Sequence, residues 1–386
     1  MGKGNVLVIG NSGVGKSTLI NAVLGEKCAE TSWGHEGTTS ELKLYEGVPF
    51  RIIDTVGFEP TFIKQQMAIN AVKKWSKSSA KNGREDSAIN IIWFCVDGCA
   101  NKLFLKTIRD LSRATSMWES VPVVVVITKS YSIPERALNI EMVNNAFAKQ
   151  KGFSKNLRKI LPVVASPYII NDTAYAPPEG IFELIDITNE LMPEGIQGGA
   201  KDIASFKLKR KQAVSQTVVG TATLAGVVVG AIPIPFSDAA LLGPTEIVMF
   251  NALSKIYEIN KDEKSKQFIN SIIEAGTVSV AAKTALSSLK AIPGINVAAS
   301  VLNAIVAGVI IAILGEVAIH AFEQIYLGKK SVSDIDWITK MIEAKFTSEF
   351  KEKIELVLSK IADNSDKHNI SQIISSLFKG NSKEVD

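Results

Sequence analysis

Glycines, a lysine and hydroxyl side chains are concentrated in one segment near the start of the chain, Gly10-Asn-Ser-Gly-Val-Gly-Lys-Ser17. A polyphosphate tail crowds several negative charges together, so its binding site needs many backbone N–H groups at close range, which a glycine-rich turn allows. The segment follows an apolar run and opens a helical pattern, which would place a helix N-terminus against the phosphates. The residues predicted to contact a nucleotide here are Asn11, Ser12, Gly13, Val14, Gly15, Lys16, Ser17 and Thr18.

A magnesium ion is expected beside these phosphates. Lys16 would neutralise the β- and γ-phosphates, and the Ser17 hydroxyl would bind Mg²⁺. Asp54-Thr-Val-Gly57 directly follows an apolar strand pattern. There Asp54 would hold a Mg²⁺-bound water, and the Gly57 N–H would sense the γ-phosphate. Asp-x-x-Gly is common on its own, and its position two strands after the glycine-rich loop makes this interpretation stronger.

The elements that must position these residues alternate between short apolar runs and helical patterns as far as about residue 192, which predicts an α/β fold with a mainly parallel six-stranded sheet. The predicted strands cover residues 6–10, 41–45, 50–54, 89–97, 121–128 and 160–164. The second and third are separated by only Glu46-Gly-Val-Pro49, too short for a crossover helix. These two strands should therefore form an antiparallel hairpin.

An all-α region is predicted after this sheet. We expect a nucleotide-binding first domain at 1–192, a linker at 193–205, an apolar helical domain at 206–330 and amphipathic helices at 331–386. Residues 212–237 and 291–315 contain no charged side chain. Each run is long enough to cross a bilayer, which takes about 20 apolar residues. Small residues recur every fourth position in both runs, a pattern suited to close helix contact in a membrane or in a tight bundle. These are Ala222, Gly226 and Gly230 in the first run, and Ser300, Ala304, Gly308 and Ala312 in the second.

Between the glycine-rich loop and the second strand lies Trp33-Gly-His-Glu-Gly-Thr-Thr-Ser40. With this segment and the two motifs above, the first domain resembles the Era and TrmE branch of P-loop GTPases. The resemblance implies GTP as substrate, GDP as product and Mg²⁺ as cofactor. It also implies that Thr39, with Thr38 as second choice, binds Mg²⁺, and that Lys16, Thr39 and Gly57 act in catalysis.

Two positions depart from that family. Thr128-Lys-Ser-Tyr131 stands where members place a motif ending in the Asp that pairs with guanine, so Tyr131 replaces the carboxylate. Thr128, Lys129 and Ser166 remain the expected residues around the base, and guanine preference follows mainly from the resemblance. Phe58 occupies the position of a water-orienting Gln, which predicts slow hydrolysis. Alternative groups that could orient the water are Glu59, Gln65, Gln66 or Glu36, or a second GTPase domain in a homodimer.

The helical half resembles the poorly characterised helical domain fused to Era-like GTPases in bacteria and, more distantly, that of immunity-related GTPases, which act on membranes. A Pro-x-Pro turn followed by Asp238 is the main likeness. A cytosolic flank is predicted from the basic residues Lys207, Lys209, Arg210 and Lys211. Two interpretations stay open: helices that meet a bilayer, and the buried core of a soluble domain.

Net charge is only +4, with both signs mixed, and this argues against nucleic acid as an obligate partner. Three cysteines form no even framework, which predicts buried free thiols and a reducing cytosol. The alternative location is the cytoplasmic face of a membrane, with the chain bound peripherally or integrally. Three functions compete: a membrane-associated nucleotide switch, an Era-like GTPase acting on ribosomes or RNA, and a nucleotide-gated adaptor with little hydrolysis.

Overall fold

In this computed structural model the described residues are 3–25, 42–55, 70, 88–99, 108–109, 120–150, 153–171, 174–230, 243–259, 262–277, 299–361, 370, 372–374 and 376. The chain divides into two compact units. The first comprises Met1–Ser166 with Pro178–Arg210, and the second comprises Pro167–Pro177 with Lys211–Asp386. The sequence-based domain ranges stay a prediction, and a helix begins at Ala200, inside the range expected to be a linker.

A six-stranded sheet forms the centre of the first unit. Its strands are β1 (Gly4–Ile9), β2 (Leu42–Glu46), β3 (Phe50–Thr55), β4 (Ile89–Asp97), β5 (Val123–Thr128) and β6 (Leu157–Pro162). Their order is β2-β3-β1-β4-β5-β6, and only β2 runs antiparallel, pairing with β3. The predicted fold, with one antiparallel hairpin in a mainly parallel sheet, is confirmed.

Burial explains which strands the sequence shows clearly. All six residues of β5 are buried, as expected for a central parallel strand covered on both faces. Strand β6 lies at the sheet edge and exposes Arg158 and Lys159, which interrupt the apolar run after Leu157. The predicted range 160–164 was therefore wrong at its start, and it was wrong at its end because the buried Val163 and Val164 extend the apolar run beyond the strand.

Among the residues that the structure describes, the helices with complete bounds in the first unit are α1 (Lys16–Leu24), α2 (Ile133–Ala148) and α3 (Ile181–Leu191). Helix α3 is fixed to the sheet by a buried hydrogen bond, in which Trp93 Nε1 of β4 donates to Thr188 Oγ1 at 2.9 Å. Two short 3₁₀ helices, Phe153–Asn156 and Glu194–Ile196, precede β6 and follow α3.

The second unit is largely helical. It contains the rest of α4 (Ala200–Gly230), in which the unit boundary falls at Arg210, and then α5 (Gly243–Ile256), α6 (Glu263–Thr277), α7 (Ala299–Tyr326) and α8 (Asp336–Lys360). A small antiparallel hairpin, β7 (Tyr168–Asn171) and β8 (Ala174–Ala176), also belongs to it. The sequence reading missed this hairpin, because all four residues of β7 are exposed and give no alternating pattern.

Small residues bring α4 and α7 into close contact, as their spacing predicted. A Cβ added at Gly308 would lie 2.6 Å from Val227 Cγ2, and one at Gly315 would lie 2.5 Å from Val219 Cγ1. Within the described residues one helix, Ser300–Tyr326, is long and apolar enough to span a membrane, and 83% of its most apolar window is buried inside the protein. Length and composition alone do not distinguish such a helix from a buried core helix.

Three of the four basic residues predicted to form a cytosolic flank have partners within the protein. Lys207 forms an ion pair with Asp186 at 2.7 Å. Lys211 is fully buried, lies 2.9 Å from Glu258 and donates to the Ile256 carbonyl. Arg210 donates to carbonyl groups of α1. The cytosolic flank stays a prediction, in which these three cations have protein partners and Lys209 is exposed.

Candidate nucleotide-binding site

The glycine-rich loop joins the buried end of β1 to the first turn of α1. Gly13 and Gly15 have φ values of 78° and 95°, in the left-handed region that other residues adopt only with strain. Gly10 meets a different constraint, since a Cβ there would lie 2.6 Å from the Cys95 carbonyl oxygen of β4. The loop therefore depends on glycine both for its turn and for its close approach to the sheet.

Lys16 is the first residue of α1 and is only 9% exposed. Its Nζ donates to the carbonyl oxygens of Gly10 at 2.8 Å and Asn11 at 3.1 Å. These bonds hold the ammonium group at the mouth of the loop, at the positive end of the helix dipole. Ser17 and Thr18 are exposed beside it. An anion placed at this helix N-terminus would meet backbone N–H groups, a cation and two hydroxyls.

Thr128, at the end of β5, holds this loop against the sheet. Its Oγ1 lies 2.5 Å from the Val14 carbonyl oxygen in the loop and 2.9 Å from the Val96 carbonyl oxygen in β4. A hydroxyl has a single hydrogen, so it donates to one of these acceptors at a time. Thr128 was predicted to lie near the nucleotide base. In the structure its hydroxyl contacts the phosphate-binding loop and would help to position it.

Asp54 is the penultimate residue of β3 and lies beside β1, in register with Val8. It is 4% exposed, and its Oδ1 has no hydrogen-bond partner among the described residues. Burial raises the pKa of Asp54, and the positive charges of Lys16 and Lys43 oppose that shift. The adjacent Thr55 hydroxyl donates to the Val8 carbonyl at 3.0 Å and fixes the end of β3 on β1.

The donor set fits a magnesium ion. Mg²⁺ prefers oxygen ligands and retains several waters, so a carboxylate that acts through water and a hydroxyl at a helix start are suitable donors. Asp54 provides a buried oxygen without a partner in the described part of the chain, and Ser17 provides an exposed hydroxyl. The third predicted ligand, Thr39, lies outside the described residues, as does Gly57.

The predicted base side of the site is organised around Lys129, which has a positive φ of 53°. Its Nζ forms an ion pair with Asp97 Oδ2 at 2.7 Å, and this hydrogen bond raises the pKa of Lys129. Asp97 Oδ1 in turn accepts from the Cys99 N–H at 2.9 Å. Cys99 is an exposed free thiol, contrary to the expectation that the cysteines are buried. Sequence reasoning missed Asp97, although its position at the carboxyl end of β4 was a usable signal.

The segment after β5 is tied to the end of β6. The Ser130 N–H donates to the Val163 carbonyl at 3.3 Å, and the Tyr131 N–H donates to the Lys129 carbonyl at 2.8 Å. Ser166, the remaining predicted base-side residue, is exposed three positions after Val163. Lys129 and Ser166 both follow the carboxyl ends of the neighbouring parallel strands β5 and β6, and such ends meet at one edge of a sheet.

Comparison with protein families matches residues 5–129 to the family described as "50S ribosome-binding GTPase". Residues 204–345 match a domain of unknown function, DUF697. The first match covers the glycine-rich loop, Asp54 and Lys129. Residues 5–129 are a P-loop GTPase domain.

Relatives of this GTPase domain include GTPase Era of Clostridium botulinum, which is 26% identical over 202 residues. That alignment covers 50% of this chain and 57% of the relative, so the chain spans little more than half the length of such proteins. Translocase of chloroplast 34 of Arabidopsis thaliana is 42% identical over 74 residues, which are 18% of this chain and 23% of that protein.

A solved structure of an Aquifex aeolicus Era variant bound to GDP and AlF4⁻ is also similar, at 21% identity and a TM-score of 0.34. The similarity covers 56% of this chain and 68% of the other. It is too low to support a functional argument. The GTPase domain followed by a DUF697 domain confirms the predicted arrangement of an Era-like GTPase fused to a helical domain.

Proposed function

We propose that this chain is a nucleotide-switched GTPase that binds GTP with Mg²⁺, hydrolyses it slowly and couples the bound nucleotide to its helical domain. The observation that supports this most directly is the buried Lys16 ammonium, held by two loop carbonyls at the start of α1. Ser17, Thr39 and, through water, Asp54 would hold the Mg²⁺. The metal would neutralise charge on the β- and γ-phosphates.

Nucleotide binding is tested by Lys16→Ala in a fluorescent-GDP titration with Mg²⁺. Loss of a charge-assisted contact to phosphate should weaken binding by about ten- to a hundredfold. The control is Lys149→Ala, which also removes one lysine ammonium but from an exposed position next to the end of α2. Equal affinity of Lys16→Ala and wild-type protein would contradict the proposed site.

Base selectivity is the second feature to test, because Tyr131 replaces the carboxylate that would pair with guanine. A bidentate carboxylate contact to guanine contributes about 1–3 kcal/mol of selectivity. Without it, competition between GTP and ATP should show a smaller preference for GTP. Tyr131→Asp should increase the preference for GTP, whereas the matched variant Tyr131→Asn, which lacks two equivalent acceptor oxygens, should not. Equal preference in the two variants would show that position 131 does not face the base.

Hydrolysis is proposed to use the Lys16 ammonium, Thr39 and the Gly57 N–H, and to be slow because Phe58 cannot orient a water molecule. A GTPase-domain homodimer would supply the missing group. Specific activity should then rise with protein concentration. A flat dependence on concentration, at protein levels where light scattering detects dimers, would exclude this form of activation.

The helical domain is proposed to engage a membrane at the cytoplasmic face in one nucleotide state. The apolar helix Ser300–Tyr326 supports this, and its burial implies that the domain must open before that helix meets lipid. Liposome co-sedimentation should therefore be greater with a non-hydrolysable GTP analogue than with GDP. Retention in the supernatant with both nucleotides would refute the membrane half of the proposal and leave the GTPase half intact.

A soluble Era-like function on ribosomes is the second candidate, favoured by the match to the family described as "50S ribosome-binding GTPase". We do not expect nucleic acid as a partner, because the net charge is small and mixed in sign. Co-sedimentation with ribosomes in the GTP-analogue state, abolished by Lys16→Ala, would favour the second candidate. Tight binding with negligible turnover would instead indicate a nucleotide-gated adaptor.

A further inference from the structure

Helix α1 begins at the phosphate-binding loop and is only nine residues long, ending at Leu24. The last carbonyl groups of any helix lack intrahelical partners and form the negative end of the helix dipole. Helix α1 has no basic residue in its own last turn. Any side-chain cation that meets this negative end must therefore come from another part of the chain.

Arg210 of α4 provides this cation. Its Nε and Nη2 donate to the Ala22 carbonyl oxygen at 3.2 and 2.9 Å, and Nη2 also lies 3.4 Å from the Asn21 carbonyl oxygen. A Cβ at Gly25, the residue that follows α1, would lie 2.9 Å from Arg210 Nη1, so glycine leaves room for the guanidinium. All of these residues belong to the first compact unit.

The start of α4 is held in place independently of this contact. One turn before Arg210, Lys207 forms an ion pair with Asp186 of α3 at 2.7 Å, and its side chain is only 11% exposed. A planar guanidinium can direct two donors at one carbonyl oxygen, which a lysine ammonium on a flexible stem does less well. The cap on α1 is therefore a fixed part of the unit.

We infer that Arg210 is a positioning residue for nucleotide binding. A helix of nine residues is about 13 Å long and behaves as a short rigid rod, so fixing its C-terminal end fixes the direction of its N-terminal amides, which face the phosphates. Arg210 lies outside the GTPase match at 5–129 and inside the DUF697 match at 204–345. The segment matched to DUF697 thus contributes a residue that the phosphate site depends on.

This inference depends on the proposed nucleotide binding, and its test separates the two. In the full-length protein, Arg210→Ala should weaken fluorescent-GDP binding by about three- to tenfold, the size of a partly buried cation effect at a helix terminus. Arg210→Lys should recover part of that loss. The matched control is Lys209→Ala, which removes the neighbouring exposed cation and should leave GDP affinity unchanged.

Two further measurements distinguish positioning from a general loss of stability. A purely structural role would lower the unfolding temperature equally with and without GDP, whereas a positioning role also reduces the increase in unfolding temperature that GDP causes. Amide hydrogen exchange at Gly25, whose N–H donates to the Asn21 carbonyl at 2.8 Å, should become faster in Arg210→Lys as well.

The inference is overturned if wild-type protein binds GDP and Arg210→Ala binds it within twofold, or if Lys209→Ala shows the same loss. If Arg210→Ala does not fold, the same comparison is made with Arg210→Lys, where unchanged affinity and unchanged exchange at Gly25 overturn it. Failure of the wild-type protein to bind GDP would overturn the proposed function, and this inference with it.

Discussion

Replacing Thr128 by Val removes one hydroxyl and keeps the shape of the side chain. That hydroxyl lies between the Val14 carbonyl of the phosphate-binding loop and the Val96 carbonyl of β4, and Thr128 is 3% exposed. The new methyl group occupies the space of the hydroxyl, so no water molecule can replace the lost hydrogen bond. The substitution therefore leaves a buried carbonyl oxygen without its donor.

The cost follows from this geometry. A lost hydrogen bond that leaves a buried acceptor unsatisfied costs about 1–3 kcal/mol. Only one bond is lost, because the hydroxyl has a single hydrogen. Since the Val14 acceptor belongs to the loop itself, nucleotide affinity should also fall, by about tenfold if about 1.4 kcal/mol of the cost appears in binding.

Urea unfolding and a fluorescent-GDP titration measure the two effects in Thr128→Val. Thr223→Val is the matched control, because it removes an equally buried hydroxyl that donates to Val219 within a helix of the second unit. The control should lose some stability and no GDP affinity. Equal GDP affinity in Thr128→Val and wild-type protein would refute the idea that this hydroxyl positions the loop.

Three further outcomes are expected. Gly10→Ala should lower the free energy of unfolding in urea by about 1–3 kcal/mol and weaken GDP binding, because the new methyl group clashes with β4. The control Gly195→Ala, which has open space around it, should change that free energy by less than about 0.5 kcal/mol. Similar values for both variants would contradict the clash. Asp97→Asn should weaken GDP binding about two- to fivefold by releasing Lys129, and unchanged affinity would show that the ion pair does not fix that lysine. Burial raises the pKa of Glu246 from 4.5 to about 7, so the folded state keeps a proton that the unfolded chain releases, and stability falls as pH rises between those values. Glu246→Gln should abolish about 3 kcal/mol of that fall between about pH 4.5 and pH 7.5, and an identical pH dependence in both proteins would refute it.

The phosphate-binding loop could be predicted from the sequence because its physical requirements are local. Gly13 and Gly15 are needed for backbone conformation, and Lys16 follows them at a fixed distance along the chain. The parallel sheet could be predicted for a similar reason, since strands buried on both faces, such as β5, read as unbroken apolar runs.

Contacts between distant segments could not be predicted in this way. The Thr128 hydroxyl reaches a loop 114 positions earlier, and Arg210 reaches a helix end 188 positions earlier. Lys211 read as a solvated charge, yet it is buried with partners 45 and 47 positions away. Single-sequence patterns report periodicity and turn chemistry, and they contain no record of which polar groups meet across the fold.

The glycine contacts between α4 and α7 limit how this domain could meet a lipid. Gly226 faces Ile311, and Gly308 faces Val227, so each backbone is already in contact with a branched side chain of the other helix. An acyl chain has no space to wedge itself into that seam. Any bilayer contact must therefore use other faces of the two helices or follow their complete separation. Separation would expose the backbone at these glycines, and only another helix could pack against it as closely as the present partner does.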